Sequence, residues 1–421
     1  MLSHPLLKEL SAEIYKGENT QLICNLVINA AAVMKASDIH IEPLSGFVRI
    51  RYRIDWVLYE AIEYQQFLHS QIVARYKILA NLKIDESRMP QDGRISITLP
   101  DKSLDLRVST LPTVHGEKIV MRIVDKSKKI PSISDLGIEG KNGRLLKKAI
   151  GLPNGIILTS WPTWSGKSTT LYSCLTSLNH EDVNIMTIED PVENVIDGVN
   201  QSQIFPDIGY TFAGALRTAL RQDPDIIMVG EIRDHETINI AIEAALTGHL
   251  VLSTIHTNSA AETLTRILNM GIQPFLLPAA INAIIAQRLV RRLCKNCRKP
   301  VKADTLPKNM QTSLRRAITR TDKQELIDRI SPEILARSEF YEAVWCEQCN
   351  HTGYLGRVGI YEILEITLPI KELILSGASA TMINERAIDD GMISLEQDGI
   401  IKALLWHTSL EEVYAAAKEG N

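Results

Sequence analysis

GIILTSWPTWSGKSTTLY, residues 155–172, passes from an apolar strand through a phosphate-binding loop into the start of a helix. The strand is rich in Ile and Leu, and Ser165, Gly166, Lys167, Ser168 and Thr169 carry the tail of a G-x-x-x-x-G-K-[ST] loop. In such loops backbone N–H groups wrap phosphate oxygens, the lysine reaches the terminal phosphates and the hydroxyl binds Mg²⁺. The segment therefore points to nucleotide chemistry. Two side chains work against it. Trp161 stands at the loop's first glycine position, and Trp164 occupies a second crowded one.

Downstream, apolar runs alternate with helical patterns: NIMTIED, a helix, DIIMVGE, a helix, then LVLSTIH. Short apolar strands separated by helices predict a parallel sheet covered on both faces. Past residue 265 the pattern reads as mainly helical, interrupted by cysteine pairs. Upstream, residues 1–45 read as helix-rich, ending in KASDIHIEPLSG. FVRIRYRI and VLYEAI alternate as a hairpin around Asp55-Trp56, a helical stretch covers Gln71–Asp85, and RISITL, LDLRVSTL and KIVMRIV follow as strands. The expected fold is α/β: a small α+β domain over 1–130, a linker at 131–136, and a P-loop domain over 137–421.

Several strands of the larger domain end in polar residues suited to phosphate chemistry. Ile226–Val229 runs into Gly230-Glu231, so an acid emerges at the strand's carboxyl end, where it can orient a water or hold Mg²⁺. TIEDPVE places Glu189, Asp190 and Glu193 after another strand, and TGHLVLSTIHTNSA places His256 after a third. His249 reads instead as a structural histidine. Arg217 and Arg221, one helical turn apart, are weaker candidates.

The chain has 421 residues, 45% hydrophobic and 23% charged, enough for two to three domains with sizeable cores. A net charge of −4 argues against a dedicated nucleic-acid binder. No apolar run reaches the ~18 residues that span a bilayer, and no secretory signal is expected. The expected location is cytoplasmic, with membrane contact only through partners.

Of six cysteines, four form the pairs Cys294-Lys-Asn-Cys297 and Cys346-Glu-Gln-Cys349. Two such knuckles supply four thiolates, enough to close a tetrahedral structural Zn²⁺ site and staple the segment 291–350 at its base. Cys24 and Cys174 lie in apolar contexts and read as core residues. The basic residues Arg291, Arg292, Lys295, Arg298 and Lys299 read as a solvated face or a docking surface for an acidic partner, not a nucleic-acid patch.

The chain resembles the assembly and secretion ATPases of type II secretion and type IV pilus systems. The resemblance begins near residue 18 and rests on ASDIHIEP, RYRID, QDGR, RVSTLPTVHGEKIVMRI, GKSTTLY, TIEDPVE, LRQDPDIIMVGEIRD, TGHLVLSTIHTNSA and GYLGRVGIYEIL. It implies a RecA-like ATPase domain behind a PAS-like N-terminal domain, assembled as a homo-hexamer at the cytoplasmic face of the inner membrane. ATP and Mg²⁺ would be the cofactors, and a membrane platform protein the partner. The implied roles fall on Lys167 and Ser168 for phosphate and Mg²⁺, Glu231 as catalytic acid, Glu189, Asp190 and Glu193 as an acidic box, and His256 as a histidine box. Arg107 and Arg122 match the arginines that reach the γ-phosphate from the N-terminal domain. In this family the tetracysteine element marks assembly and secretion ATPases, whereas retraction ATPases lack it. Many members carry a further N-terminal domain that docks on the platform; at this length the chain is expected to lack it.

All five tryptophans fall where glycine is expected: Trp56 in a two-residue hairpin turn, Trp161 and Trp164 in the phosphate loop, Trp345 before a cysteine knuckle, and Trp406 between helices, ahead of Thr408, Ser409 and Glu412. The resembled family has glycine at all five. A UGA codon read as glycine in one bacterial code and as tryptophan in another would produce this pattern. Taken at face value, Trp161 and Trp164 leave open an alternative, a nucleotide-deficient, non-hydrolysing ring subunit. A RecA-like nucleic-acid motor is disfavoured, because no platform of aromatic and basic strand residues is present.

Overall fold

The computed structural model describes residues 2, 4–99, 102–125, 127, 129–160, 167–337 and 339–418, without the side chains of 167, 168, 335–337 and 418. Two units separate: Met1–Lys129 with Val344–Gly356, and Ile130–Ala343 with Arg357–Asn421.

The first unit opens with helices Pro5–Lys16 and Thr20–Val33. Gly17 ends the first at φ 68°, and Asn19 caps the second by accepting from the N–H of Leu22 at 3.0 Å. Strands follow at β1 (Asp38–Pro43), β2 (Phe47–Ile54), β3 (Val57–Gln65), β4 (Gln91–Thr98), β5 (Ser103–Thr113) and β6 (Gly116–Asp125), joined in the order β3-β2-β1-β6-β5-β4. The helix-rich reading of 1–45 thus holds only to Val33. DIHIEP is a strand because Ile39 and Ile41 alternate with polar residues and pair with both β2 and β6. The helix expected at Gln71–Asp85 is His69–Leu79.

One face of this sheet packs Ile39, Ile41, Val48, Ile50, Tyr52, Leu106, Ile119 and Met121 into a core with the helices. The opposite face carries charge. Glu42 is 6% exposed and takes Arg51 at 2.8 Å, Lys118 at 3.0 Å and Arg49 at 3.3 Å. Burial alone would push its carboxyl up, but the hydrogen bonds from Arg51 and Lys118 outweigh that and hold it down at about 2. Asp38 lies between Arg122 at 3.4 Å and Arg53 at 3.6 Å.

In the second unit the strands are β7 (Gly155–Ser160), β8 (Ile185–Glu189), β9 (Asn200–Gln203), β10 (Ile226–Val229), β11 (Leu250–Ile255) and β12 (Ile281–Leu293), then a short antiparallel pair β13 (Lys299–Lys302) and β14 (Glu339–Glu342), and β15 (Tyr354–Glu365). The large sheet runs β15-β12-β7-β11-β10-β8-β9, and β12, β7, β11, β10, β8 and β9 pair in parallel. Alternate residues of β7 serve opposite cores: Ile156 and Leu158 face one, Ile157 the other. Both faces are covered, as the unbroken apolar strands require.

The helical reading past 265 fails at β12 and β15. INAIIAQRLVRRL spaces its apolar residues in a way a helix would also accept, but it pairs with β7, and Ala283–Arg288 are all buried. Between β13 and β14 the excursion does contain helices: Lys308–Arg320, Lys323–Arg329 and Pro332–Arg337. It docks through buried charge. Glu325 accepts from the N–H of Lys141 at 2.8 Å at the start of helix Gly140–Ile150, and Arg329 meets Asp398 at 2.7 Å with both side chains 2% exposed. Lys402 completes this network at 2.8 Å from Asp398.

Two tryptophans sit in left-handed backbone, Trp56 at φ 73° and Trp406 at φ 64°. Asp55 at φ 45° makes the first a two-residue turn with both central residues left-handed, as expected for Asp-Gly. Trp345 is not left-handed; its ring lies 5.4 Å from that of His351. Trp161 and Trp164 lie outside the described residues. Ser409 caps helix Leu410–Lys418 by accepting from the N–H of Glu412, and the Glu412 carboxylate meets Arg291 at 2.6 Å. Among the described residues, no helix is long and apolar enough to cross a membrane.

Candidate functional site

Parallel pairing brings three strand ends to one edge. Val229 of β10 is in register with Ile188 of β8 and Ser253 of β11, so the residues that follow them emerge together. There Glu189, Asp190, Glu193, Glu231 and His256 line a cavity of about 260 Å³ with Leu171, Phe212, Gly230, Arg233 and Thr254. The loop strand β7 lies one strand beyond β11. This is the carboxyl edge of an α/β sheet, where ligands bind in this class of fold.

Backbone hydrogen bonds fix the strand end that bears Glu231. The N–H of Gly230 donates to the Ile188 carbonyl at 2.7 Å, the Thr254 hydroxyl donates to the Gly230 carbonyl at 2.7 Å, and the N–H of Ile232 donates to the Thr254 carbonyl at 2.9 Å. A Cβ on residue 230 would meet the Ile188 carbonyl oxygen at 3.2 Å, so glycine permits this close approach. Glu231 itself is held at both oxygens, by His256 Nε2 at 3.1 Å and by Arg233 Nη2 at 2.7 Å.

The acidic residues divide by environment. Glu189 is 4% exposed, and its carboxylate accepts from the Tyr172 hydroxyl, from Thr187 at 2.6 Å and from Gln201 at 3.0 Å. That arrangement orients Glu189 and ties helix Lys167–Leu178 to β8. Asp190 and Glu193 are exposed at the cavity and better placed for solvent or a metal ion. His249 Nδ1 donates to the Ala244 carbonyl at 3.0 Å, a helix-end role as expected of it. Arg217 meets Glu236 at 2.5 Å and Arg221 bonds back to Arg217 and Thr218, so neither lines the cavity.

Ser165 and Gly166 lie outside the described residues, as do the side chains of Lys167 and Ser168. Lys167 opens helix Lys167–Leu178, and Thr169 is exposed in its first turn. Arg107 and Arg122 belong to the first unit, where they are cross-strand partners on β5 and β6. The residue the sequence reading missed is Arg233. Its signal was available: two positions beyond Glu231 along an extended segment, it falls on the same side of the chain.

The sequence profile of the type II/IV secretion system protein family matches residues 16–415. The chain belongs to that family. It is 48% identical over 393 residues to a type IV pilus assembly ATPase, PilB, of Myxococcus xanthus, covering 93% of this chain and 66% of that protein. It is 44% identical over 397 residues to a type II secretion system protein E of Aeromonas hydrophila, covering 94% and 75%. The chain thus spans about two thirds to three quarters of these relatives. Among solved structures, the Legionella pneumophila ATPase DotB superposes with a TM-score of 0.66 over 94% of this chain and 96% of that one, at 21% identity, which shows a shared fold.

In this family member all four paired cysteines come together. Cys294, Cys297, Cys346 and Cys349 each offer a sulfur, and the four sulfurs lie within 4.8 Å of one another. A tetrahedron with Zn–S bonds of about 2.3 Å has edges of roughly 3.8 Å. Cys346 and Cys349 already stand 3.7 Å apart, and the N–H groups of Gly353 and Cys346 point at the Cys349 sulfur at 3.2 and 3.4 Å. Four thiolates with backbone donors around them fit a closed structural metal site. Cys24 and Cys174 are fully buried elsewhere, and burial pushes both thiols up to about 12. Of the neighbouring cations, Arg291 pairs with Glu412, and Arg298 lies over the rings of Tyr341 and Trp406 at 5.0 and 5.6 Å.

Proposed function

We propose that the chain is an ATP-hydrolysing motor that powers assembly of type IV pili or type II secretion pseudopili. It would work as a homo-hexamer at the cytoplasmic face of the inner membrane, on a membrane platform protein and without nucleic acid. The observation that carries this reading is the convergence of Glu231, His256, Asp190 and Glu193 on one edge of a parallel sheet, beside the strand that feeds the GKST loop.

Ser165–Thr169 would grip the phosphates, with Lys167 on the terminal oxygens and Ser168 and the acidic pair Asp190 and Glu193 toward Mg²⁺. When bound, Mg²⁺ neutralises charge on the transferring phosphoryl group. Glu231 orients and deprotonates the attacking water, Glu189 braces the acidic loop, and His256 lies beside Glu231, poised to report the γ-phosphate. Arg107 and Arg122 would contribute guanidinium groups toward that phosphate, as the family resemblance implies. Zn²⁺ held by Cys294, Cys297, Cys346 and Cys349 would be structural and take no part in hydrolysis.

The test is ATP turnover by the full chain and by a Trp161→Gly, Trp164→Gly double variant, each with and without Glu231→Gln. Turnover that Glu231→Gln abolishes while nucleotide binding persists supports the motor. The two loop tryptophans favour a second reading, a non-hydrolysing ring subunit, which predicts no turnover in either background.

A further inference from the structure

The carboxylate proposed to activate water has three rotatable bonds, and a glutamate at a strand end has no intrinsic reason to aim at one point. Here its aim is fixed from both sides. Ile232 is 1% exposed and anchored to β11 through its N–H, so the residues flanking it, Glu231 and Arg233, both project away from the core. Arg233 Nη2 meets Oε1 of Glu231 at 2.7 Å, while His256 Nε2 meets Oε2 at 3.1 Å. Glu231 is 14% exposed and Arg233 is 68% exposed, so the arginine closes over the carboxylate from the solvent side.

We propose that Arg233 is a positioning residue for Glu231. Together with His256 it clamps the carboxylate plane so that the remaining lone pairs face the cavity, where the attacking water would stand. An ionised carboxylate accepts at about four sites, so two charge-assisted contacts leave room for the water. Arg233 acts through Glu231 and not on nucleotide. The inference rests on the reading of Glu231 as the water-activating residue and adds to it a device supplied by this chain's own Arg233.

The experiment uses the full chain in whichever form hydrolyses ATP, with Arg233→Gln, Arg233→Lys, Glu231→Gln and the Glu231→Gln, Arg233→Gln double variant. Displacing a reacting group by about 1 Å costs roughly 100-fold in rate. Arg233→Gln is therefore expected to lower kcat about 10- to 100-fold while KM for ATP moves less than about threefold. Arg233→Lys, which keeps the charge and can still meet Oε1 but from a flexible stem in place of a planar, pre-organised group, should recover part of that loss. In the Glu231→Gln background, adding Arg233→Gln should leave the residual single-turnover rate unchanged, because the group it positions is gone. A wild-type rate in Arg233→Gln, a rise in KM that matches the fall in kcat, or additive losses in the double variant would each overturn the proposal. If the parent chain turns over no ATP in any form, the motor reading itself fails, which is a different result.

Discussion

Residue 56 offers a direct test of what the hairpin turn demands. Asp55 and Trp56 connect β2 to β3 with Ile54 paired to Val57, and both turn residues have positive φ, 45° and 73°. A bulky L-residue in this region costs about 1–2 kcal/mol, because its Cβ crowds the following carbonyl. Trp56→Gly removes that cost, and no other substitution does, because glycine alone lacks a Cβ. The Trp56 carbonyl accepts from Arg53 Nη1 at 2.8 Å, a backbone contact that every variant keeps. The ring itself is half-buried, so its loss must be measured separately. Trp56→Ala does this: it loses the same ring and retains the Cβ. Glycine should therefore exceed alanine by about 1 kcal/mol in urea unfolding followed on the first unit. In thermal unfolding that is a rise of about 3–5 °C for a unit of this size. If alanine equals or exceeds glycine, left-handed strain is not what Trp56 imposes. The companion measurement is peptide mass spectrometry of the protein from its source organism, which should read glycine at 56, 161, 164, 345 and 406. Tryptophan there, or UGG codons in the gene, would end the recoding account.

Other outcomes follow from the charged networks and the cysteines. Glu42 titrates at about 2 in the folded chain against an ordinary 4.5, so its stabilisation is complete above pH 4.5 and is lost as pH falls toward 2. The displacement corresponds to about 3 kcal/mol, so the stability gap between wild type and Glu42→Gln should close across that window in acid titrations of unfolding. Arg329→Met should cost about 3 kcal/mol by leaving buried Asp398 without its guanidinium, near the low end of such losses because Lys402 remains. Adding Asp398→Asn should recover part of it in denaturant unfolding. Zinc is expected at one equivalent per chain by elemental analysis. Its removal by a chelator, or Cys346→Ser with Cys349→Ser, should raise protease cleavage between residues 299 and 342 before it alters the core sheet.

Much of the site could be read along the chain because its parts are local. The GKST tail, the acid that follows an apolar run, and C-x-x-C pairs are each set by a few consecutive residues whose chemistry depends on spacing alone. What pairs with what is not local. β12 carries apolar spacing that suits a helix, and only its place beside β7, covered on both faces, makes it a strand. DIHIEP likewise became a strand because β2 and β6 each had an edge to offer it.

Residue order carries the GKST motif, the alternation that makes a parallel sheet, and a cysteine set sufficient for one tetrahedral metal ion. Folding is what engages Glu189 with three neighbours and holds Glu231 between Arg233 and His256. Both are acids after an apolar strand; Thr187 and Arg233 lie only two residues from their partners, but Tyr172, Gln201 and His256 reach the carboxylates from other segments. The difference comes from the strands and helices that approach each carboxylate: hydrogen-bond geometry is satisfied over a few ångströms of space, regardless of how far apart the partners lie along the chain.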